Sequence, residues 1–273
     1  MRNPSRRAVL LGTAGVGLAG CANGSVIGFD KAARALDIAN SAEPLSLDPH
    51  RCSSAAEANI VGNLFVGLTT ENARAEPIPG MAERWETSKD GLIWTFYLRP
   101  AVWSDGMRCD AHDFAFAFRR VLDPATRAEG ASLLYAIKNA ERVNSGALSP
   151  STLGVTALGD RVLEIRLEHP AAYLPYVLKH HAAYPVPKHL LERAGDAWVK
   201  PEHLAVNGPF GLVKWWANSI VHLRKNPHFW EAEQVGLNDL YFYPSADPHA
   251  AARAVLSGAR GWSTDFPAEM TAD

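Results

Sequence analysis

The chain has 273 residues, 47% of them hydrophobic and 21% charged. This is ordinary globular composition with apolar material for one or two cores, and it argues against a disordered chain. Lys and Arg number 27 against 29 Asp and Glu, a formal net charge of −2, so no excess of base exists to grip phosphate, which argues against nucleic acid as a partner.

Arg2, Arg6 and Arg7 form a basic head on an apolar or Gly/Thr run from Ala8 to Ala19, the pattern of a secretory signal peptide over residues 1–21. As a helix that run would measure about 18 Å, short of the roughly 30 Å hydrocarbon core of a bilayer. It targets without spanning. Ser5-Arg6-Arg7-Ala8-Val9-Leu10 looks like a twin-arginine export signal, with Arg6 and Arg7 as the pair. Val9 stands where Phe is usual, so the general secretory route stays open. Leu18-Ala19-Gly20-Cys21 is similar to a bacterial lipobox, which predicts lipidation at Cys21. The other two cysteines, Cys52 and Cys109, do not make a disulfide framework, and unpaired thiols are the favoured state.

Beyond a polar tether, Ala35 to Asn40 alternates around Leu36 and Ile38 and reads as a strand. Asp48-Pro49 closes the next segment. Ala55 to Leu68 places Ile60, Leu64, Phe65 and Leu68 at helical spacing. After Pro77, Pro79 and Gly80, Leu92 to Leu98 reads as a strand with Trp94, Phe96 and Leu98 on one face, and Asp90-Gly91 as the turn joining it to a preceding antiparallel strand. Asp105-Gly106 is a second turn, and the tryptophans are expected to cement one sheet between the two.

Asp110 is a fair N-cap for a helix lined by Phe114, Ala117, Phe118 and Val121 and ending at Asp123-Pro124. Gly146 to Gly159 reads as loop, and Val162 to Leu167 as a half-buried strand. Tyr184-Pro185-Val186-Pro187 is stiff and extended, suited to a crossing between two lobes. Phe210 to Trp216 and Ile220 to Arg224 flank Ala217-Asn218-Ser219 as a hairpin, Leu240 to Tyr243 is a strand, and a helix from Asp247 to Leu256 stops at Ser257-Gly258. The fold class is therefore mixed α/β or α+β, in more than one lobe.

The block Ala82-Glu83-Arg84-Trp85-Glu86-Thr87-Ser88-Lys89-Asp90-Gly91, Trp94 to Arg99, and Val102-Trp103-Ser104-Asp105-Gly106 closely resembles the signature of the family 5 extracellular solute-binding proteins. Ser46 to His50, Asn63 to Leu68, Asp110 to Phe114, Val206 to Phe210, Arg224 to Trp230 and Leu256-Ser257-Gly258 follow in the family's order. The resemblance implies a class II periplasmic binding protein-like fold with an extra small lobe. Residues 22–65 and 188–273 would form the first lobe, and 66–187 the extra lobe. The chain would be truncated before the second ligand-binding lobe.

It also implies a periplasmic lipoprotein, membrane-anchored through its lipid, that captures peptides or related small solutes for the permease subunits of an ABC importer. The alternative is a truncated remnant with little ligand affinity. By matching segments, the ligand-facing edges are Ser53, Ser54, Ala55 and the stretch near Gly130, with Ser245 to Asp247 as a rim. Small side chains there leave room for a bulkier or different ligand than an oligopeptide.

No catalytic residue, cofactor or metal is expected. There is no Gly-x-Ser-x-Gly elbow and no phosphate-cradling glycine loop. His180-His181 and His189 with Glu192 invite a metal reading, but neighbouring histidines are expected to point different ways, as surface or inter-lobe groups. Trp215-Trp216 and Phe229-Trp230 are read as packing residues, not as a ligand platform.

Overall fold

The structure, a computed structural model, describes residues 34–270. Arg6, Arg7 and Cys21 lie outside the described residues.

Strand β1 (Ala35–Asn40) is followed by helix α1 (Ala55–Leu64), a small hairpin of β2 (Thr69–Glu71) and β3 (Pro77–Pro79), and strands β4 (Ala82–Thr87) and β5 (Ile93–Leu98). Helices α2 (Ala111–Leu122) and α3 (Ala140–Asn144) precede β6 (Val155–Gly159) and β7 (Val162–Arg166). Two short helices, α4 (Leu174–Val177) and α5 (Lys188–Ala194), lead to β8 (Phe210–Trp216), β9 (Ile220–Lys225), β10 (Asp239–Pro244), α6 (Pro248–Leu256) and β11 (Trp262–Ser263).

Two larger sheets result. One is mixed, in the order β11-β1-β10-β9-β8, with β1 parallel to both β10 and β11. The other is antiparallel, β4-β5-β7-β6. Between β1 and β8 the chain leaves the first sheet, builds the second, and returns. Because β1 and β10 run the same way, the loops after both leave one edge of the sheet, the edge at which open α/β sheets carry their ligands.

The β4–β5 turn forms as its residues dictate. Gly91 adopts φ +72°, Ser88 O accepts its N–H at 2.9 Å, and Asp90 Oδ1 accepts from Leu92 N. On β5, Trp94, Phe96 and Leu98 are buried while Ile93, Thr95 and Tyr97 are half-buried. Trp85 and Trp94 flank Phe96 at ring distances of 6.2 and 6.3 Å. Trp103 departs from the expectation of a common sheet. It sits in a tight loop closed by the single bridge Val102↔Arg108, fully buried, edge-on to Phe65, and donates its indole N–H to Asp113 Oδ2 at 2.9 Å. The Asp105-Gly106 turn is too short a reversal to extend pairing, so this tryptophan plugs the core beside α2 instead.

Helix α1 stops at Leu64, one turn before the apolar spacing suggested. Asn207 accounts for this, because its side-chain carbonyl accepts from Val66 N and its amide donates to Val66 O, while Gly208 N donates to Leu64 O. The chain is thus held extended from Phe65 onward. A Cβ on Gly208 would lie 2.6 Å from the backbone carbonyl of Leu64 and 2.8 Å from Phe65 N. Gly208→Ala is therefore expected to cost about 2 kcal/mol through a clash that neither backbone can relieve, read as a lower urea midpoint with an unchanged m-value. An unchanged midpoint would contradict this close approach.

The segment 146–159 is not all loop, since it contains β6. That strand lies at the sheet edge and buries only Val155 fully, with Leu158 exposed, so it carries no run of bulky alternating residues to announce it. The hairpin β8–β9 closes through Ala217-Asn218-Ser219, Asn218 taking φ +56°. Cys52 and Cys109 are free and buried, and burial pushes both thiols up from their ordinary pKa.

Candidate functional site

The loop after β1 is shaped by one carboxylate. Glu57, buried in the first turn of α1, accepts from Leu45 N and Ser46 N through Oε1 (2.9 and 3.1 Å), and from Ser53 N and Ser54 N through Oε2 (2.8 and 3.0 Å). The hydroxyls of both serines also donate to Oε2. Ser54 is the N-cap of α1 and, with Glu57, completes a capping box. Burial works to raise the Glu57 pKa, but these hydrogen bonds outweigh it and hold the carboxyl below its usual range.

A second anchor ties this loop to distant segments. Arg120 on α2 meets both oxygens of Asp48, Nη1 to Oδ1 at 3.0 Å and Nη2 to Oδ2 at 2.5 Å, with both side chains almost wholly buried. Arg120 Nη1 also lies 2.9 Å from His50 Nδ1, and His50 Nε2 lies 3.1 Å from Tyr184 O. A guanidinium can only donate, so Nδ1 accepts and Nε2 carries the proton. His50 is therefore neutral. Asp48, Arg120 and Tyr184 are joined through it, and the extended Tyr184–Pro187 stretch is fixed against the loop.

On this scaffold Cys52, Ser53, Ser54, Ala55, Ala58, Glu129, Gly130, Ser132, Leu133, His180 and His181 enclose a cavity of about 410 Å³. A second cavity of about 430 Å³ continues from Ala58, His180 and His181 to Thr70, Tyr176 and Lys179. The two form a groove along α1. Ser53, Ser54, Ala55 and Gly130 are thus brought together. Asp247 is not among them, as its carboxylate caps α6 by accepting from His249 N at 2.9 Å.

Sequence reasoning missed Glu129 and the histidine pair. His180 and His181 do not point apart; their rings lie 4.0 Å centre to centre, both half-buried in the groove wall. The turn through residues 181–183 brings them together, His180 Nδ1 accepting from Ala182 N and His181 Nδ1 lying 2.8 Å from Pro49 O. The one available signal was smallness. Gly130 presses on Ala182 so closely that a Cβ would come within 2.8 Å of it, which joins segments about fifty positions apart. His189 stands elsewhere, paired with Asp105 Oδ2 at 2.7 Å. Among the described residues no group of three or more His, Cys, Asp or Glu side chains is placed to hold a metal.

Burial lowers His50 to about 4 despite the attraction of Asp48, and lowers His180 to about 4 with help from His181. Because the folded state resists protonating these rings, their contribution to stability is full above pH 6.5 and is lost as pH falls towards 4. For His50 the slope approaches about 1.4 kcal/mol per pH unit. Asp113 acts oppositely, since burial raises it to about 6, so its contribution fades as pH rises from about 4 through 6. With two histidines against one carboxyl, stability should fall on acidification from pH 6.5. Titration of the imidazole Cε1–H resonances should show two midpoints near pH 4; midpoints for all histidines between 6 and 7 would contradict the buried neutral arrangement.

The mixed sheet with its strand-edge groove is the architecture of a periplasmic binding protein. A solved structure of Haemophilus influenzae OppA in complex with RPPGFSPFR matches with a TM-score of 0.85 at 34% identity, covering 89% of this chain and 48% of that one. The chain belongs to the bacterial extracellular solute-binding proteins, family 5, whose model matches residues 76–273. It is 38% identical over 208 residues to the periplasmic oligopeptide-binding protein OppA of Salmonella typhimurium, covering 75% of this chain and 38% of that protein. The periplasmic murein peptide-binding protein MppA of Escherichia coli is 34% identical over 231 residues, 84% of this chain and 43% of that protein. The chain therefore spans less than half the length of the relatives it matches.

Proposed function

We propose that this chain contributes one wall of a peptide-binding cleft in a periplasmic solute-binding protein that serves an ABC importer, held at the membrane by a lipid on Cys21. The observation that carries this reading is the groove. Four positions selected by matching segments, Ser53, Ser54, Ala55 and Gly130, line one cavity on a chain whose relatives are named for peptide binding. The role is binding without chemistry. The groove runs along α1 for the length of two cavities, which suits an extended chain held by its backbone. In this reading the five-stranded sheet is the base of the first lobe (22–65 and 188–273), and the four-stranded sheet belongs to the extra lobe (66–187).

Contacts from one wall support weaker binding than an enclosed ligand has, about −4 rather than −8 kcal/mol, or millimolar rather than micromolar. A peptide at ten times its Kd should stabilise the chain by about 1.4 kcal/mol. Thermal shift across di- to nonapeptides at tens of millimolar should show that rise for some peptides; no rise for any peptide, with a rise for sugars instead, would refute the ligand class. Metabolic labelling with palmitate in a bacterial host should mark the chain and be abolished by Cys21→Ser; label retained in that variant would refute lipidation at this residue.

A further inference from the structure

A larger cavity of about 530 Å³ shares no lining residue with the groove. It lies between the end of β5, the Val102↔Arg108 bridge, the turn at Asp160-Arg161 and Trp230. Pro100, Ala101, Val102 and the Trp230 indole give it apolar walls.

Its charges are unevenly paired. Arg108 Nη1 binds Asp160 Oδ2 at 3.1 Å; Arg161 donates to Leu98 O at 2.8 Å and to Glu83 Oε2 at 3.3 Å. Asp110 is engaged in capping α2. Arg99 alone among these arginines has no carboxylate within ion-pair distance among the described residues. Its guanidinium carbon lies 4.6 Å from the centre of the Trp230 ring. Arg99 Nε and Trp230 Nε1 are both buried without a hydrogen-bond partner among the described residues, so the terminal nitrogens of Arg99 are what it can offer to the cavity. A half-buried guanidinium over an indole, beside apolar walls and without a carboxylate at ion-pair distance among the described residues, is poised to take a planar anion through two parallel N–H bonds.

We propose that this cavity is a second binding site, for a small carboxylate with an apolar body, held by Arg99 with its apolar part against Trp230 and Val102. A doubly charged phosphate fits less well, since one unpaired cation faces it and the carboxylates of Asp110 and Asp160 stand in the same wall. The site does not depend on the peptide groove, because the two linings are disjoint.

Benzoate and its neutral counterpart benzamide test it on the chain as it stands. In amide-resolved NMR titrations, benzoate should shift the Trp230 indole N–H and the Val102 amide saturably, and benzamide should bind about tenfold more weakly or worse, the loss expected for a charge-assisted hydrogen bond. Arg99→Gln should lower benzoate affinity by a similar factor. If that variant does not fold, the benzoate–benzamide contrast on the unaltered chain still decides. Equal binding of the two probes, full benzoate affinity in Arg99→Gln, or shifts confined to Ser53, Gly130 and His181 would each overturn the assignment.

Discussion

Replacing Arg120 by Met should lower the unfolding free energy by about 3–5 kcal/mol. Among the described residues the Arg120 guanidinium is the only cation paired with Asp48, both side chains are nearly inaccessible, and the substitution strands a carboxylate where water cannot reach it. Burial alone would raise the Asp48 pKa; the hydrogen bonds and charge of Arg120, together with the His50 backbone N–H that Asp48 accepts, reverse that and lower it. A carboxyl held low when folded stabilises above its unfolded pKa near 4 and loses that contribution as pH falls further. The deficit of Arg120→Met should therefore be largest at neutral pH and shrink below about pH 4, where Asp48 is protonated in the variant. At roughly 2–4 °C per kcal/mol for a domain of this size, the melting temperature should fall by about 10 °C. Asp48→Asn in the same background should recover part of the loss, because an amide costs less to bury than an uncompensated charge. A melting temperature within a degree or two of the parent would show that the pair is not the buried clamp its geometry describes.

Glu57→Gln is the second large effect, expected at about 3 kcal/mol. The amide offers one acceptor oxygen where the carboxylate offers two, and its NH₂ would face the N–H groups of either Leu45 and Ser46 or Ser53 and Ser54. Each donor left unsatisfied out of contact with water costs about 1–3 kcal/mol, moderated here because Leu45, Ser53 and Ser54 are themselves exposed. The loss should be local as well as global. Amide exchange at Leu45, Ser46, Ser53 and Ser54 should accelerate ahead of that in the sheets, since one carboxylate fastens both stretches of loop to α1. Unaltered exchange at those four amides would contradict this role.

These two residues mark where sequence reading stopped. The elements that carry bulky residues at a clean period were legible: the phenylalanine stripe of α2, the alternation of β5 and β7, and the Asp-Gly and Ala-Asn-Ser turns. Edge strand β6 was not, because an edge needs few apolar residues. Nor was the end of α1, which is set by Asn207 and Gly208 from far along the chain. Trp103 was placed on a sheet because its neighbours were read together, whereas a single-bridge loop sends it into the core. For the candidate site, matched segments pointed to Ser53, Ser54, Ala55 and Gly130, which line one cavity, and to Asp247, which does not. The histidine pair was noticed but read as surface or inter-lobe groups, and Glu57 and Arg120 were invisible, because a buried charge and its partner are recognised only when both positions are known. Asp48 and Arg120 are joined only by tertiary structure.

The central claim is that the groove along α1 is where ligand meets this chain. Titrating the isotopically labelled chain with an unlabelled, C-terminally amidated tripeptide without acidic side chains, to tens of millimolar, tests it most directly. Saturable shifts should centre on Ser53, Ser54, Ala58, Gly130 and the rings of His180 and His181, leaving the Trp230 indole undisturbed. Shifts that gather around Trp230 or β11 while those groove resonances stay fixed would contradict it.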